Sequence, residues 1–530
     1  ENVCVTKEPY FMGSVILKQQ LTQSNSAIVD VRTVIDGQQR LTTLSILLKV
    51  LCLKTNALRK FDKRFRLDDD RPVLQHSFND VTSYNRIMDL QKIEELPYQD
   101  TITNAYTYFA KKLDTSKVDF DVICSKVMFV GIDLNYDENE QQIFDTINSL
   151  GVRLTTAELL KNHFFSRDDL DLYKTHWQNV FEKDEETRNY WGQEIVTGRI
   201  KRTFIDLFFY SLLQILIQDS SYAVRAEDKV AFARVESLFP SYKKFVGSYL
   251  GGDKNVLLQE MVEYAGVFRD KIDGTVVDKE VPKDASIDRI NVLIFALDTT
   301  TLIPYVLFIE KNVQDEQQKR RLYEYLESYI MRRLVTRQTT KNYNQLFTER
   351  LISNRITTKE SFINYLAKQT DKINYMPTDN EVTEAFHTSV LTNKYAAGTI
   401  YLLESKIRNE QMSSTQLLGI RKYSLEHLMP KKWRNHWVFN GTDEQAMKRD
   451  RTLLTLGNLA IITQSLNASI RDSEWSVKLA GKATRDGLKK YATGIETISK
   501  YLNYAEWNES CISERADNLA SKAIKVWCFQ

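Results

Sequence analysis

Cysteine is scarce: the 530 residues hold five, Cys4, Cys52, Cys124, Cys511 and Cys528. No two form a CxxC pair, so a structural zinc site is not expected, and an odd, scattered set argues against a disulfide framework. That usage implies a reducing compartment, and a cytoplasmic protein is expected. Proline (8) and glycine (18) are also few, which favours a mostly helical protein. No apolar run approaches the roughly 20 residues of a membrane span. Leu44 to Leu53, among the longest, is interrupted by Ser45 and Lys49. The chain does not open on a basic segment followed by an apolar one, so its start does not read as a signal peptide.

What is present suits a multidomain globular protein. Hydrophobic residues make up 42% and charged residues 27%, enough to build a core in each of the three or four domains that roughly 150 residues per domain allows. The net charge of +2 is uninformative, but its distribution is not. Arg421 to Lys500 holds 15 Lys and Arg against 8 Asp and Glu, and such a basic region is a footprint for a phosphate backbone as well as an ordinary solvated helical surface.

Ala27 to Ile35 is rich in β-branched residues and reads as a strand. Asp36-Gly37-Gln38-Gln39-Arg40 follows, and then Leu41, Leu44, Leu47, Leu48 and Leu51 recur at helical spacing. The polar pentapeptide therefore falls at a strand-to-helix junction, where free backbone N–H groups favour anions. Arg40 suits a bidentate phosphate contact and Gly37 a close backbone approach; the plainer reading is an Arg40–Asp36 pair that pins the turn. Lys126 to Leu134 reads as a second strand. Asp137 with Glu140 caps a helix that ends at Gly151, and Thr155 with Glu158 starts the next one. Asn148, Gly151, Lys161 and Asn162 in this stretch are expected to be mainly architectural, with a nucleotide or DNA pocket as the other reading. From Ile200 to Ala385 the periodicity is helical and no chemistry is concentrated.

The last 145 residues carry the chemistry. Glu426-His427, with Pro430 three residues on, precedes a short apolar strand that begins after Gly457 and contains Asn458; Asn467 and Lys478 follow. These are the residue types and the order of a ββα-metal nuclease site. Glu426 and Asn467 offer the hard oxygen ligands that Mg²⁺ or Mn²⁺ prefers. His427 would take a proton from the attacking water. Asn458 would hold the strands and orient the histidine, and Lys478 would meet a phosphate oxygen. His436 ranks second to His427 because no acid adjoins it in sequence. Trp433 and Trp437, among Lys431, Lys432 and Arg434, read either as core or as a border to DNA.

SLEHLMPKKW, LGNLAIITQSLNASI and Lys478 resemble the HNH endonuclease domain of the GmrSD and SspE group of bacterial anti-phage restriction proteins. In the first half, PYFMGSVIL (residues 9 to 17), VIDGQQRLTTL (34 to 44) and IFDTINSLGVRLTTAELLKN (143 to 162) resemble the ParB-like domain fused to that nuclease. The resemblance implies a multidomain, predominantly helical α+β protein. Residues 1–200 would be a partial ParB-like sensor and nucleotide domain, 201–385 a helical scaffold, and 386–530 a C-terminal ββα-metal (HNH) domain. It implies cleavage of DNA, dependent on a DNA modification and modulated by a nucleoside triphosphate handled at Asp36, Gly37, Gln38, Gln39 and Arg40, with other defence proteins as partners and no membrane. The family's upstream PxxQRxYxW segment has no match in Glu1 to Tyr10, so the chain is read as beginning partway into the ParB-like domain. Other readings are a nucleotide-switched DNA-binding regulator with an inactive nuclease domain, an RNA-cleaving effector, and a nucleotide hydrolase.

Overall fold

The computed structural model describes residues 1–20, 31–76, 80–97, 100–136, 155–165, 169–197, 200–369, 373–408, 416–482 and 485–530. The chain is predominantly helical with small sheets, an α+β multidomain protein. It forms two compact units, Glu1–Leu172 and Tyr173–Gln530. Among the described residues no helix is long and apolar enough to cross a membrane.

The first unit is built on a three-stranded sheet of order β2-β1-β3, with β1 Tyr10–Gln19, β2 Arg32–Asp36 and β3 Val127–Leu134. β1 runs antiparallel to β2, placing Ile16 opposite Asp36, and parallel to β3, placing Ile16 opposite Ile132. A parallel neighbour requires a long crossover, and the helices between β2 and β3 supply it. The first of these, α1 (Gln38–Lys54), begins inside the DGQQR pentapeptide. Its buried face, Ile46, Leu48, Val50 and Leu51, packs with Phe61, Tyr84, Ile87, Met88 and Tyr106 into the main core of the unit. A second helix, α2 (Thr156–Phe164), starts at the expected capping box: the Glu158 amide donates to Thr155 Oγ1 (3.2 Å) and the Thr155 amide to Glu158 Oε2 (2.8 Å). Asn148, Gly151 and the helix expected from Asp137 lie outside the described residues.

Lys49 lies on the same buried side of α1, fully inaccessible, with its ammonium 5.2 Å from the centroid of the Phe61 ring. Its Nζ has no hydrogen-bond partner among the described residues. Burial pushes its pKa down from 10.5 to about 8, which Asp62 only partly offsets. The folded state thus holds the proton less tightly than the unfolded chain, so the penalty is full below pH 8 and fades as pH rises toward 10.5. Lys49→Met is expected to stabilise the unit by about 2–3 kcal/mol at pH 7, and by progressively less at higher pH. Thermal unfolding at pH 7 and pH 10 tests this; an unchanged or lowered melting temperature at pH 7 would refute it.

In the second unit the helical middle and the C-terminal segment share a core. Arg289 on α3 (Ile287–Ala296) and Glu327 on α4 (Glu316–Val335) form a fully buried ion pair at 2.6 Å. The Trp527 indole donates to the same Glu327 oxygen (3.2 Å), and Arg332 Nε donates to the Trp527 carbonyl (2.6 Å). A charge removed from water needs this kind of full pairing, and here the pairing joins residues about 200 positions apart in sequence.

α5 (Asn393–Ile407) underlies a two-stranded antiparallel sheet, β4 (Tyr423–His427) and β5 (Leu459–Thr463), and α6 (Gln464–Ile470) follows β5 directly. In register, Glu426 faces Ala460 and His427 faces Leu459. The last helix, α8 (Glu509–Val526), presses on the turn before β5; between α6 and α8 comes the short α7 (Trp475–Ala480). A Cβ at Gly457 would come 2.3 Å from the Ile512 carbonyl oxygen, so only glycine lets α8 approach so closely.

Candidate active site

β4 ends in Glu426 and His427. Side chains alternate along a strand, and Glu426 turns inward, where it is buried. There it meets Lys478 of α7, fully buried, whose ammonium is ion-paired with Glu426 Oε1 and donates to the His427 carbonyl at 2.8 Å. Burial pushes the Glu426 carboxyl up and the Lys478 ammonium down, and each charge opposes the other's shift. Lys478, expected at a phosphate oxygen, is instead committed to the carboxylate and backbone of β4.

His427 is half-buried. Its pKa is lowered to about 4, first by desolvation and then by Lys431 and Lys478. The imidazole is therefore neutral near pH 7, the state a proton acceptor needs. His436 is exposed and within electrostatic reach of Asp472.

Behind the histidine, Asn458 uses its whole amide. Oδ1 accepts from the Met429 amide (2.8 Å) and the Trp507 indole (2.9 Å), and Nδ2 donates to the carbonyls of Met429 and Leu453 (2.8 Å each). Its own carbonyl accepts from the Leu428 amide at 3.0 Å. One fully buried residue thus fixes the two residues after His427, Leu428 through its backbone and Met429 through its side chain, and ties them to the turn before β5. Arg515 of α8 reinforces that turn from below, donating to the carbonyls of Leu456 (3.2 Å), Gly457 (2.8 Å) and Thr497 (2.9 Å). Glu404 of α5 accepts from the amides of Glu496 and Thr497, both at 2.8 Å. Neither Glu404 nor Arg515 stands out in the sequence, because each partner is a backbone group far along the chain.

Asn467 of α6 reaches back to β4, its amide nitrogen donating to the Leu425 carbonyl at 3.1 Å. It borders a cleft of about 560 Å³ between the start of α5 and the β4–α6 junction, together with Asn393, Lys394, Tyr423, Leu425 and Gln464. Trp433 is a core residue; its indole donates to Asp450 (2.8 Å), and Arg434 and Arg449 stack on its ring. Trp437 donates to the Ser473 carbonyl at 3.1 Å.

In the first unit the DGQQR residues are consecutive around the β2–α1 junction. Asp36 ends β2, and Gly37 caps α1 in the left-handed region (φ +94°), where a Cβ would come 2.9 Å from Val15 Cγ2. Arg40 pairs with Asp36 at 2.8 Å and Gln38 donates to the Val34 carbonyl at 2.7 Å. The pair that pins the turn is therefore present. Gln39 is exposed, and Lys161 is half-buried on α2.

Residues 2–165 match the GmrSD restriction endonuclease N-terminal domain, and residues 376–522 match the GmrSD restriction endonuclease C-terminal domain. Together the two matches cover more than half of the chain. The chain belongs to the GmrSD restriction endonuclease family. No curated protein matches it. The GmrSD C-terminal match spans Glu426, His427, Asn458, Asn467 and Lys478, and the N-terminal match spans the DGQQR junction. Membership makes this a DNA-cleaving hydrolase of phage defence, with DNA as its substrate.

Proposed function

We propose that cleavage is metal-dependent and of the HNH type, carried out at the β4–β5–α6 unit of the C-terminal domain. The observation that carries this reading is that Glu426 and a neutral His427 are adjacent at the end of β4, while Asn467, from the helix following β5, is bonded to the Leu425 carbonyl of the same strand.

The side chains suit a hard divalent cation. Glu426 supplies a carboxylate and Asn467 an amide oxygen, and its nitrogen, not its oxygen, is the atom tied to β4. Among the described residues no group of three or more His, Cys, Asp and Glu is arranged to hold a metal. A protein ligand set this small suits an ion such as Mg²⁺, which keeps several waters and takes phosphate oxygens. When bound, Mg²⁺ or Mn²⁺ would stabilise charge on the phosphate and on the leaving oxygen.

The chain's own residues do the rest. A ligand carboxylate must be ionised; the Lys478 ammonium favours the ionised Glu426 against its burial and fixes the rotamer. His427 takes a proton from the attacking water at a ring nitrogen. Asn458 holds the backbone behind His427 and leaves the ring free to point at the substrate. In the N-terminal domain, the left-handed Gly37, the α1 start without a side-chain cap and the part-exposed Arg40 support a nucleotide or phosphate site at Asp36–Arg40, through which nucleotide modulates recognition of modified DNA.

Plasmid nicking tests this reading. Cleavage is expected with Mg²⁺ or Mn²⁺, with loss in EDTA and a difference between modified and unmodified plasmid. Cleavage that persists in EDTA would remove the metal from the mechanism, and equal rates on both plasmids would remove the dependence on modification.

A further inference from the structure

The short hairpin that follows α7 is not used by the site described above. Its strands are β6 (Gly481–Lys482) and β7 (Arg485–Asp486), with Lys482 directly opposite Arg485. Two like charges at opposed positions of an antiparallel pair destabilise it, and both side chains are exposed. Neither forms an ion pair among the described residues, whereas the one acid of the hairpin, Asp486, is paired with Lys490. Lys489, one turn away and also exposed, adds a third cation.

The base of this hairpin is tightly built. Gly481 has φ +102°, and a Cβ there would come 2.0 Å from the Arg485 carbonyl oxygen. A Cβ at Gly487 would come 2.5 Å from both the Gly481 nitrogen and the Lys478 carbonyl oxygen. Two glycines thus let the strands cross closely against the end of α7, with the Gly487 amide donating to the Ala480 carbonyl at 3.1 Å. β6 also packs against α6, the helix of Asn467, and against α7, the helix of Lys478. A repulsive pair of cations is therefore held on a closely packed base that abuts both helices of the candidate centre. An anion placed between the two side chains would relieve the repulsion.

We propose that Lys482, Arg485 and Lys489 form a clamp for the DNA backbone, binding phosphates that flank the bond to be cut. The location of that bond rests on the proposed function above. Arg485 suits a forked contact to phosphate oxygens, and the two lysines act as point charges. Backbone contacts of this kind position the duplex and carry no base sequence.

The test uses the full chain and a 30-base-pair duplex in EDTA, with fluorescence anisotropy measured over a range of salt. The variant is Lys482→Gln/Arg485→Gln/Lys489→Gln. A comparison variant, Lys243→Gln/Arg320→Gln/Lys525→Gln, removes the same charge from exposed positions elsewhere in the second unit. For three lost phosphate contacts the plot of log affinity against log salt should become shallower by about 2 to 3. Affinity at low salt should fall at least tenfold on every sequence, and the comparison variant should bind within about twofold of wild type. An unchanged slope, or an equal loss in the comparison variant, would overturn the clamp. Because binding is read without metal, DNA that the wild type binds in EDTA but does not cleave once Mg²⁺ or Mn²⁺ is supplied would count against the nuclease centre alone. A wild type that cleaves, beside an unchanged slope, would count against the clamp alone.

Discussion

His427→Ala is expected to lose metal-dependent DNA cleavage by a factor of about 10² to 10⁴, the usual contribution of a positioned general base, while binding the same duplex with unchanged affinity. The side chain is at the end of β4 and only half-buried, so its truncation opens no large core cavity and the melting temperature should hold. The wild type carries a second signature. Burial and the two neighbouring ammonium groups keep the imidazole pKa near 4. The base is therefore already unprotonated at pH 6, and the cleavage rate should stay level from pH 8 to 6, falling only as the pH drops toward 4. The sign follows from the direction of the shift: a histidine with a depressed pKa gains its inactivating proton later in acid than a free one with pKa about 6.5. Single-turnover rates across this range, for wild type and His427→Ala, decide the matter. An alanine variant that cleaves at the wild-type rate would move the base elsewhere, and an acid limb near pH 6.5 would mean that the ring is solvated in the working enzyme.

The parts of this molecule that could be read from sequence are local ones. The junction at Asp36–Arg40 announced itself because a β-branched run, a glycine and a leucine repeat at helical spacing adjoin one another, and β2 and α1 meet there. Thr155 and Glu158 are three residues apart and cap α2. The apolar strand expected after Gly457 is β5, but it starts at Leu459, and Asn458 lies in the turn before it rather than in the strand. What escaped is long-range and polar. Glu426 and Lys478 are 52 residues apart, and nothing in either segment says that they meet; hence Lys478 read as a ligand for a phosphate oxygen. Lys49 interrupts an apolar run and read as the break that made it unsuitable for a membrane, while the folded protein buries it. Arg40 had two readings, and its bond to Asp36 is the one that four-residue spacing on a helix start makes available. The repulsive face of the hairpin was invisible because it depends on Lys482 lying opposite Arg485, which register alone determines.

Lys478→Met should cost the second unit about 3–5 kcal/mol, because it leaves the Glu426 carboxylate buried without its counter-charge. Glu426→Gln strands the ammonium in the same way and should cost a similar amount. The double variant Glu426→Gln/Lys478→Met removes both charges and should recover most of the loss, since a buried pair replaced by neutral groups is often close to neutral in stability. The coupling between the two sites is therefore the quantity to measure, from thermal unfolding of the second unit in all four proteins. Cleavage should follow a different pattern. Both single variants and the double variant should be inactive, because the double variant is stable but lacks the carboxylate that would ligate the metal. Recovered stability without recovered cleavage separates the role of the pair in the fold from its role in the site. Losses that simply add would mean that the two side chains do not meet in the folded protein, and cleavage restored in the double variant would exclude Glu426 as a ligand. The contact from Lys478 to the His427 carbonyl, 2.8 Å in the native protein, adds a last check: Lys478→Arg keeps the charge but not this geometry, so it should keep much of the stability while displacing the end of β4, and its cleavage rate should fall more than its melting temperature.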